Sequence, residues 1–336
     1  MATKSDVVEM LKEDMRDEHG ALILYPRHAY FLGESGEACQ IEQTARDEMR
    51  HFKWLGQALV QLGGEPTLVR TEMDVGGDAP VQWMDRDVRA ELDAIAKYGR
   101  HLAGIDDDKI KAMIERILTD ERAHLAVFAG FRGEFAVATG PLPGLPTDGG
   151  ASPDRIAEVL DYGTRHEYTV VLQYLLHSFM TSDYEASREL ETVAVNEMQH
   201  MGWLGEYAAE TGHAPLFEVH PVVESPETAA MLAADVDAEK AVFASYGKYI
   251  AELGGQPTFA ELADILRRAQ DNEGWHIHMF SMMLSRVQAG QHPWQRPGLA
   301  RTQPPELGGR EAVSQQPAQA DQVASGSRLT VGSLIK

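Results

Sequence analysis

The sequence predicts an all-α fold: two tandem four-helix bundles followed by a C-terminal tail without regular structure. Three observations carry this. Apolar residues recur at helical spacing through most of the first 288 positions, and strand alternation is nearly absent. One pattern of acidic residues and histidines is written twice along the chain. Runs of Gly and Pro punctuate the helical stretches at matching places in the two copies.

The first copy is Glu18, Glu48-x-x-His51, Glu91 and Glu121-x-x-His124. The second is Glu167, Glu197-x-x-His200, Glu239 and Glu273-x-x-His276. Matched residues lie 149, 149, 148 and 152 apart. The likeness extends past these positions. Asp47-Glu-Met-Arg-His-Phe-Lys-Trp-Leu-Gly matches Asn196-Glu-Met-Gln-His-Met-Gly-Trp-Leu-Gly; Gly63 and Pro66 match Gly212 and Pro215; Tyr98-Gly99 matches Tyr246-Gly247. Internal duplication is the simplest account.

In the first half, Ser5-Asp6 is placed to cap a helix reaching about Leu32, with a kink expected at Pro26. A second helix is expected from Gly36 to Leu62, ending at Gly63-Gly64. A long connection with Pro66, Gly76, Gly77 and Pro80 leads to a third over Met84–Ala103. A fourth starts at Asp106–Asp108 and runs to Gly133. The second half repeats the plan, with helices expected over 153–181, 184–210, 226–253 and 258–287. A bundle with its longest connection in the middle differs from an all-short-loop up-and-down bundle. The organisation expected is therefore 1–135 for the first bundle, 136–152 for a Gly/Pro-rich linker and 153–288 for the second bundle. A flexible linker over 289–328 and a terminal motif over 329–336 follow.

Composition narrows the chemistry. One cysteine, Cys39, excludes an intrachain disulfide or a four-cysteine metal site. The opening Met1-Ala-Thr-Lys-Ser-Asp leads into an amphipathic stretch rather than a secretory core. No apolar run approaches the roughly 20 residues of a membrane span. A soluble cytoplasmic protein is expected. The net charge is -22. From Ala289 onward there are five basic residues (Arg296, Arg301, Arg310, Arg328, Lys336) and three acidic (Glu306, Glu311, Asp321), so the tail carries +2 and the rest -24. Such a body disfavours nucleic acid and anionic membranes and attracts cations.

The repeated pattern has a physical reason. Glu and His three apart on a helix share a face. Two helices bearing Glu-x-x-His, plus one Glu from each remaining helix, aim four carboxylates and two imidazoles at the bundle axis. Four carboxylates neutralise two divalent cations, and oxygen donors with one nitrogen per metal suit iron, with manganese possible. A further match, Glu210-x-x-His213, ends a helix beside Gly212 and is read as spurious. The second copy departs from the first in a longer last interval and in Gly274 within Glu273-x-x-His276.

Tyr25 and Tyr174 each stand seven residues after a single Glu, Glu18 and Glu167, and so on its helical face; Tyr98 and Tyr246 stand likewise after Glu91 and Glu239. Each could hydrogen-bond a ligand or give an electron to an oxidised centre. Trp54 and Trp203 read as core, as do His28 and His177.

These residues resemble the ferritin-like superfamily, nearest to bacterioferritin and rubrerythrin. The resemblance covers 5–133 and 153–287. It implies that Glu48 and Glu121, and Glu197 and Glu273, bridge two metals. It makes Glu18 and Glu91, and Glu167 and Glu239, terminal ligands, and the four histidines complete the set. It also implies that Asp47, Asp120, Asn196 and Asn272 orient ligand histidines on partner helices. Rubrerythrins carry a four-cysteine domain and an extra Glu where this chain has Ala94 and Val242. That difference tilts the resemblance toward the bacterioferritin side. No haem is expected.

The terminal Leu329-Thr-Val-Gly-Ser-Leu-Ile-Lys336 resembles the cargo-loading peptide of encapsulin-associated proteins. Leu329, Val331 and Leu334 would fill apolar pockets on the inner wall of a shell. A tether of about 40 residues would reach roughly 35 Å. Encapsulated ferritins proper are short two-helix chains that complete their site between subunits; this chain writes a full ligand set in each half. The resemblance implies a cargo protein, in the cytoplasm inside an encapsulin nanocompartment, that oxidises Fe(II) with O2 or H2O2. The rivals are a di-iron peroxidase or oxidase, which needs an electron donor, an oxygenase on an organic substrate, and a cargo that only buffers metal. The oligomeric state stays open.

Overall fold

The computed structural model describes residues 2–135 and 153–291. The expected linker over 136–152, the tail from 292 and the 329–336 motif lie outside the described residues. The fold is all-helical, with no strand among the described residues. Helices α1 (Lys4–Leu32), α2 (Gly36–Gln61), α3 (Pro80–Gly104) and α4 (Asp108–Glu134) pack as one bundle. Helices α5 (Pro153–Met180), α6 (Tyr184–Glu210), α7 (Thr228–Leu253) and α8 (Ala260–Gln288) pack as another.

Local chemistry moves several helix starts from the expected ones. Thr3, not Ser5, caps α1: its hydroxyl accepts from the Asp6 amide at 3.2 Å, and the Asp6 carboxylate accepts from the Thr3 amide at 2.8 Å. Asp6 is thus the reciprocal partner of a capping box rather than the cap. Helix α3 begins at Pro80, a full turn before Met84, because a proline in the first turn loses no helical hydrogen bond. Pro26 lies inside α1, which continues to Leu32; lacking an N–H, it leaves the Leu22 carbonyl without its helical donor. Helix α2 stops where Gly63 takes φ +70, and α6 where Gly212 takes φ +75, a left-handed turn that glycine adopts without strain.

The long connections lie along their bundles rather than looping free. The Thr71 amide donates to the Arg16 carbonyl on α1 at 3.0 Å, and the Val223 amide to Gln173 on α5 at 3.2 Å. The two bundles meet through α1 and α2 of one and α5 and α6 of the other. One buried cluster crosses this boundary, from Leu22, Phe52 and Tyr30 to Tyr168, Leu172 and Phe179. Two glycines let the helices close. A Cβ on Gly56 would fall 2.6 Å from the Phe179 ring, and one on Gly205 would fall 2.4 Å from the Tyr30 ring. Gly56 and Gly205 are matched positions, as are Tyr30 and Phe179, so the contact is made twice about a local two-fold axis.

Candidate metal centres

All twelve acidic and histidine side chains of the repeated pattern are buried, six in each bundle. In the first, donor atoms of Glu18, Glu48, His51 and Glu121 lie within 4.8 Å of one another, and so do those of Glu48, Glu91, Glu121 and His124. Glu48 and Glu121 belong to both groups. In the second, Glu167, Glu197, His200 and Glu273 form one group and Glu197, Glu239, Glu273 and His276 the other, sharing Glu197 and Glu273.

Each imidazole faces its carboxylates through Nδ1. His51 Nδ1 is 3.1 Å from Glu121, 3.2 Å from Glu48 and 3.4 Å from Glu18. His124 Nδ1 is 2.9 Å from Glu48 and 3.3 Å from Glu121. His200 Nδ1 is 2.8 Å from Glu197 and 3.0 Å from Glu273, and His276 Nδ1 repeats these distances. The outer nitrogens are held across the bundle. His51 Nε2 is 3.3 Å from Asp120 and His124 Nε2 is 3.5 Å from Asp47. His276 Nε2 is 2.9 Å from Asn196 Oδ1, and His200 Nε2 is 3.1 Å from the Asn272 amide. At His51, His124 and His276, fixing Nε2–H toward an acceptor oxygen leaves Nδ1 as a lone-pair donor aimed at the axis; at His200 the facing atom is the Asn272 amide nitrogen, which donates to Nε2.

Burial pushes the Glu18 and Glu91 carboxyls well above the usual range, with the like charges of Glu121 and Glu48 adding to it. In the second bundle, burial raises Glu239 to about 8. Burial opposes charge on the histidines as well, but the surrounding carboxylates win and raise His124 and His276 to about 12. The clusters therefore hold protons on groups that a cation would need free. Even so, donors are too few for the acceptors: Glu91 Oε2 and Glu239 Oε2 have none, while Glu18 Oε2, Glu48 Oε1, Glu121 Oε1, Glu167 Oε2, both Glu197 oxygens and Glu273 Oε1 have nearby only an imidazole Nδ1 that is shared among several carboxylates. Buried acceptors without donors are costly unless a cation takes the donor's place. Hard oxygen donors converging with one imidazole per group fit a pair of divalent iron or manganese ions in each bundle.

The tyrosines reach a different carboxylate from the one on their own helix. Tyr25 donates to Glu91 at 2.6 Å and Tyr174 to Glu239 at 2.5 Å; Tyr98 donates to Glu18 and Tyr246 to Glu167. His28 and His177 are buried beside the sites and pair with Asp87 and Asp235 at 2.8 and 2.9 Å. A third pair, His101 with Asp14 at 2.9 Å, occupies the opposite end of the first bundle. The sequence held a signal for these aspartates: Asp14, Asp87 and Asp235 each stand four residues before a single Glu of the pattern, one helical turn away on the same face. The fourth such position is Gly163. Trp54 and Trp203 pack 5.9 and 5.3 Å from the rings of His51 and His200. His213 pairs with Asp161 at 2.7 Å, apart from both clusters.

Gly274 leaves α8 continuous; a Cβ there would meet only Phe243, at 3.5 Å. The stretched last interval is absorbed mainly by the connection 254–259, which includes a 3-10 turn over Pro257–Phe259, where the first bundle has only 105–107. His276 consequently reaches its cluster much as His124 does.

Fold and site together define an all-helical protein with buried carboxylate–histidine clusters built to hold metal ions inside four-helix bundles. A family model described as "Ferritin-like domain" matches residues 158–289. The bacterioferritin of Desulfovibrio desulfuricans is 31% identical over 131 residues, which is 37% of this chain and 73% of that protein. The chain belongs to the ferritin-like family. A crystal structure of that bacterioferritin, whose title describes a diiron site in different catalytic states, aligns at 29% identity over 39% of this chain and 80% of the other, with a TM-score of 0.38.

Proposed function

We propose that the chain is a duplicated iron oxidase: each bundle binds two Fe(II) and passes their electrons to O2 or H2O2, for storage or detoxification of iron. The observation that carries this is the sharing of Glu48 and Glu121, and of Glu197 and Glu273, between two donor groups that hold more buried acceptor oxygens than there are donors to meet them. Carboxylates shared in this way would serve both ions of a pair, so that two electrons could leave together. Glu18 and Glu91, and Glu167 and Glu239, would each add a carboxylate to one ion, and His51, His124, His200 and His276 would supply one nitrogen each. Bound iron would supply the electrons that reduce O2 or H2O2. Two Fe(II) become two Fe(III) as one H2O2 is reduced with two protons to two waters, or as O2 with two protons becomes H2O2. Tyr25 and Tyr174 hold Glu91 and Glu239 in place through their phenol protons. Manganese fits the same donors.

The sequence of 329–336 adds a place of work. We read it as a docking peptide for the inner wall of an encapsulin shell, which would provide the storage volume that an oxidase lacks. The acidic body favours gathering of cations.

Anaerobic loading with Fe(II) followed by O2 or H2O2 tests the oxidase. Rapid oxidation over many turnovers is expected. Oxidation that stops at the bound iron until a reductant is added would instead establish a peroxidase, and no oxidation would leave a metal buffer. For the peptide, deletion of 329–336 should abolish packaging on co-expression with an encapsulin shell protein; unchanged packaging would refute the docking role.

A further inference from the structure

His19 and Tyr168 are one position of the two halves. They are 149 residues apart, the offset that separates Glu18 from Glu167. His19 Nε2 and the Tyr168 hydroxyl stand 2.5 Å apart across the boundary between the bundles, and both residues are buried. Consecutive residues on a helix diverge by about 100°. Glu18 and Glu167 point into their own bundles, so the next residue of each helix is free to face the other bundle. A pair of identical subunits about a two-fold axis would set this residue against itself. Here a nitrogen acceptor faces a phenol donor, an arrangement open only to two halves that have diverged.

The surroundings orient the pair. Arg70 Nη1 lies 3.3 Å from the Tyr168 oxygen, and its guanidinium stands 5.9 Å from the ring centroid. Arginine can only donate, so the phenol proton goes to His19 Nε2. Phe52 packs 5.5 Å from the His19 ring, and Phe217 packs 6.1 Å from that of Tyr168. Neither His19 nor Tyr168 belongs to the carboxylate–histidine groups, yet each is the peptide neighbour of a member. The result is a continuous path from Glu18 through His19, across one hydrogen bond, through Tyr168 to Glu167.

We propose that the His19–Tyr168 pair is a proton-coupled electron bridge joining the two centres, an inference that rests on the iron-oxidising reading above. With iron bound, Tyr168 would give one electron to the oxidant formed from O2 at the Glu167 group. Its O–H bond breaks, and the proton forms an N–H bond on His19 Nε2. An electron from Fe(II) held by the Glu18 group then reduces the phenoxyl, and the proton returns to its oxygen. The net change is one electron moved from the first bundle to the second, with no proton lost. Two such transfers let four Fe(II) serve a single O2, which with four protons becomes two waters without release of H2O2.

The test measures Fe(II) oxidised per O2 consumed by the full chain, with an added enzyme that destroys free H2O2 without returning O2. The bridge predicts about four Fe(II) per O2 in the unmodified chain and about two, with peroxide reaching the trap, in Tyr168→Phe and His19→Leu. Equal ratios in all three chains, with Fe(II) still oxidised, would overturn the bridge and leave the oxidase standing. No Fe(II) oxidation in any chain would remove the oxidase reading and the bridge with it. A second measurement needs no metal. With 3-fluorotyrosine placed at position 168, photochemical oxidation of the metal-free chain should give a radical whose EPR spectrum shows fluorine splitting. Its yield should fall several-fold in His19→Leu. A radical without that splitting, or a yield indifferent to His19, would also overturn the proposal.

Discussion

The phenol of Tyr25 donates to Glu91 on α3 at 2.6 Å rather than to Glu18, two turns back on its own helix. Tyr98 on α3 returns the contact to Glu18 on α1. The second bundle repeats the exchange, Tyr174 to Glu239 and Tyr246 to Glu167. Each single Glu is therefore positioned by the helix opposite it, and the two helices that carry no Glu-x-x-His brace one another.

Tyr25→Phe and Tyr174→Phe should each loosen one outer carboxylate without emptying the site. A hydrogen bond to a charged group contributes about 1.5–3 kcal/mol, so affinity for one metal of the pair should fall about tenfold or more. Anaerobic calorimetric titration with Fe(II) or Mn(II) would read this as a split into a strong and a weak step confined to the altered bundle. An unchanged isotherm would remove the positioning role.

Loss of a shared carboxylate has a larger effect. Glu48→Ala should remove metal from the first bundle alone, and Glu197→Ala from the second alone, so that each halves the metal bound per chain. If either change abolished all bound metal, two separate centres would be the wrong description.

The aspartates that hold the outer imidazole nitrogens act at one remove. Asp120→Ala should free His51, and Asp47→Ala should free His124, each lowering metal affinity about 10–100-fold. Asn196→Asp would give His276 the charged partner that His124 has, and should tighten binding in the second bundle. Metal content after dialysis against a graded chelator series is the measurement.

Metal binding should release protons and weaken as pH falls. The metal-free clusters hold protons on groups such as Glu239, raised to about 8 by burial, and His276, raised to about 12 chiefly by the Glu197 charge against the opposing effect of burial. A cation must displace them, so affinity rises with pH through the neutral range. Calorimetry in two buffers of different ionisation enthalpy would count the protons released; a count of zero would contradict the protonated clusters.

Glu42 on α2 and Glu206 on α6 face one another at the boundary between the bundles, beside Arg46 and Tyr30. Burial first, and then the Glu42 charge, raise Glu206 to about 8. A raised folded-state value contributes stability that is fully present below the unfolded value, near 4.5, and is lost as pH climbs toward 8. Glu206→Gln should therefore raise Tm at pH 8 and change it little at pH 5, the difference corresponding to roughly 1–2 kcal/mol. Equal shifts at both pH values would exclude this pairing as the cause.

On the far side of the local two-fold axis the matched contact is different. Lys53 pairs there with Glu191, while its counterpart Gly202 leaves an opening lined by Tyr30, Glu42, Arg46 and Trp203. Nothing in the periodicity of either half marks this asymmetry. It arises because the two copies of one surface meet in three dimensions, and one substitution removes a cation from only one of the two contacts.

The sequence by itself determined the helices, their pairing into bundles and the convergence of Glu-x-x-His faces on each axis, because each is set within a turn or two of one helix. Even the stretched interval before Glu273 left the geometry intact, since the added residues fall mainly in a connection and not within a ligand-bearing face. Tertiary structure alone decided which side chains meet across helices. That Tyr25 holds Glu91, that Asp87 holds His28 and that His19 meets Tyr168 depend on the stagger and rotation of neighbouring helices. Those are fixed by packing over the whole boundary, down to Gly56 beneath Phe179 and Gly205 beneath Tyr30, and no spacing along a single helix encodes them.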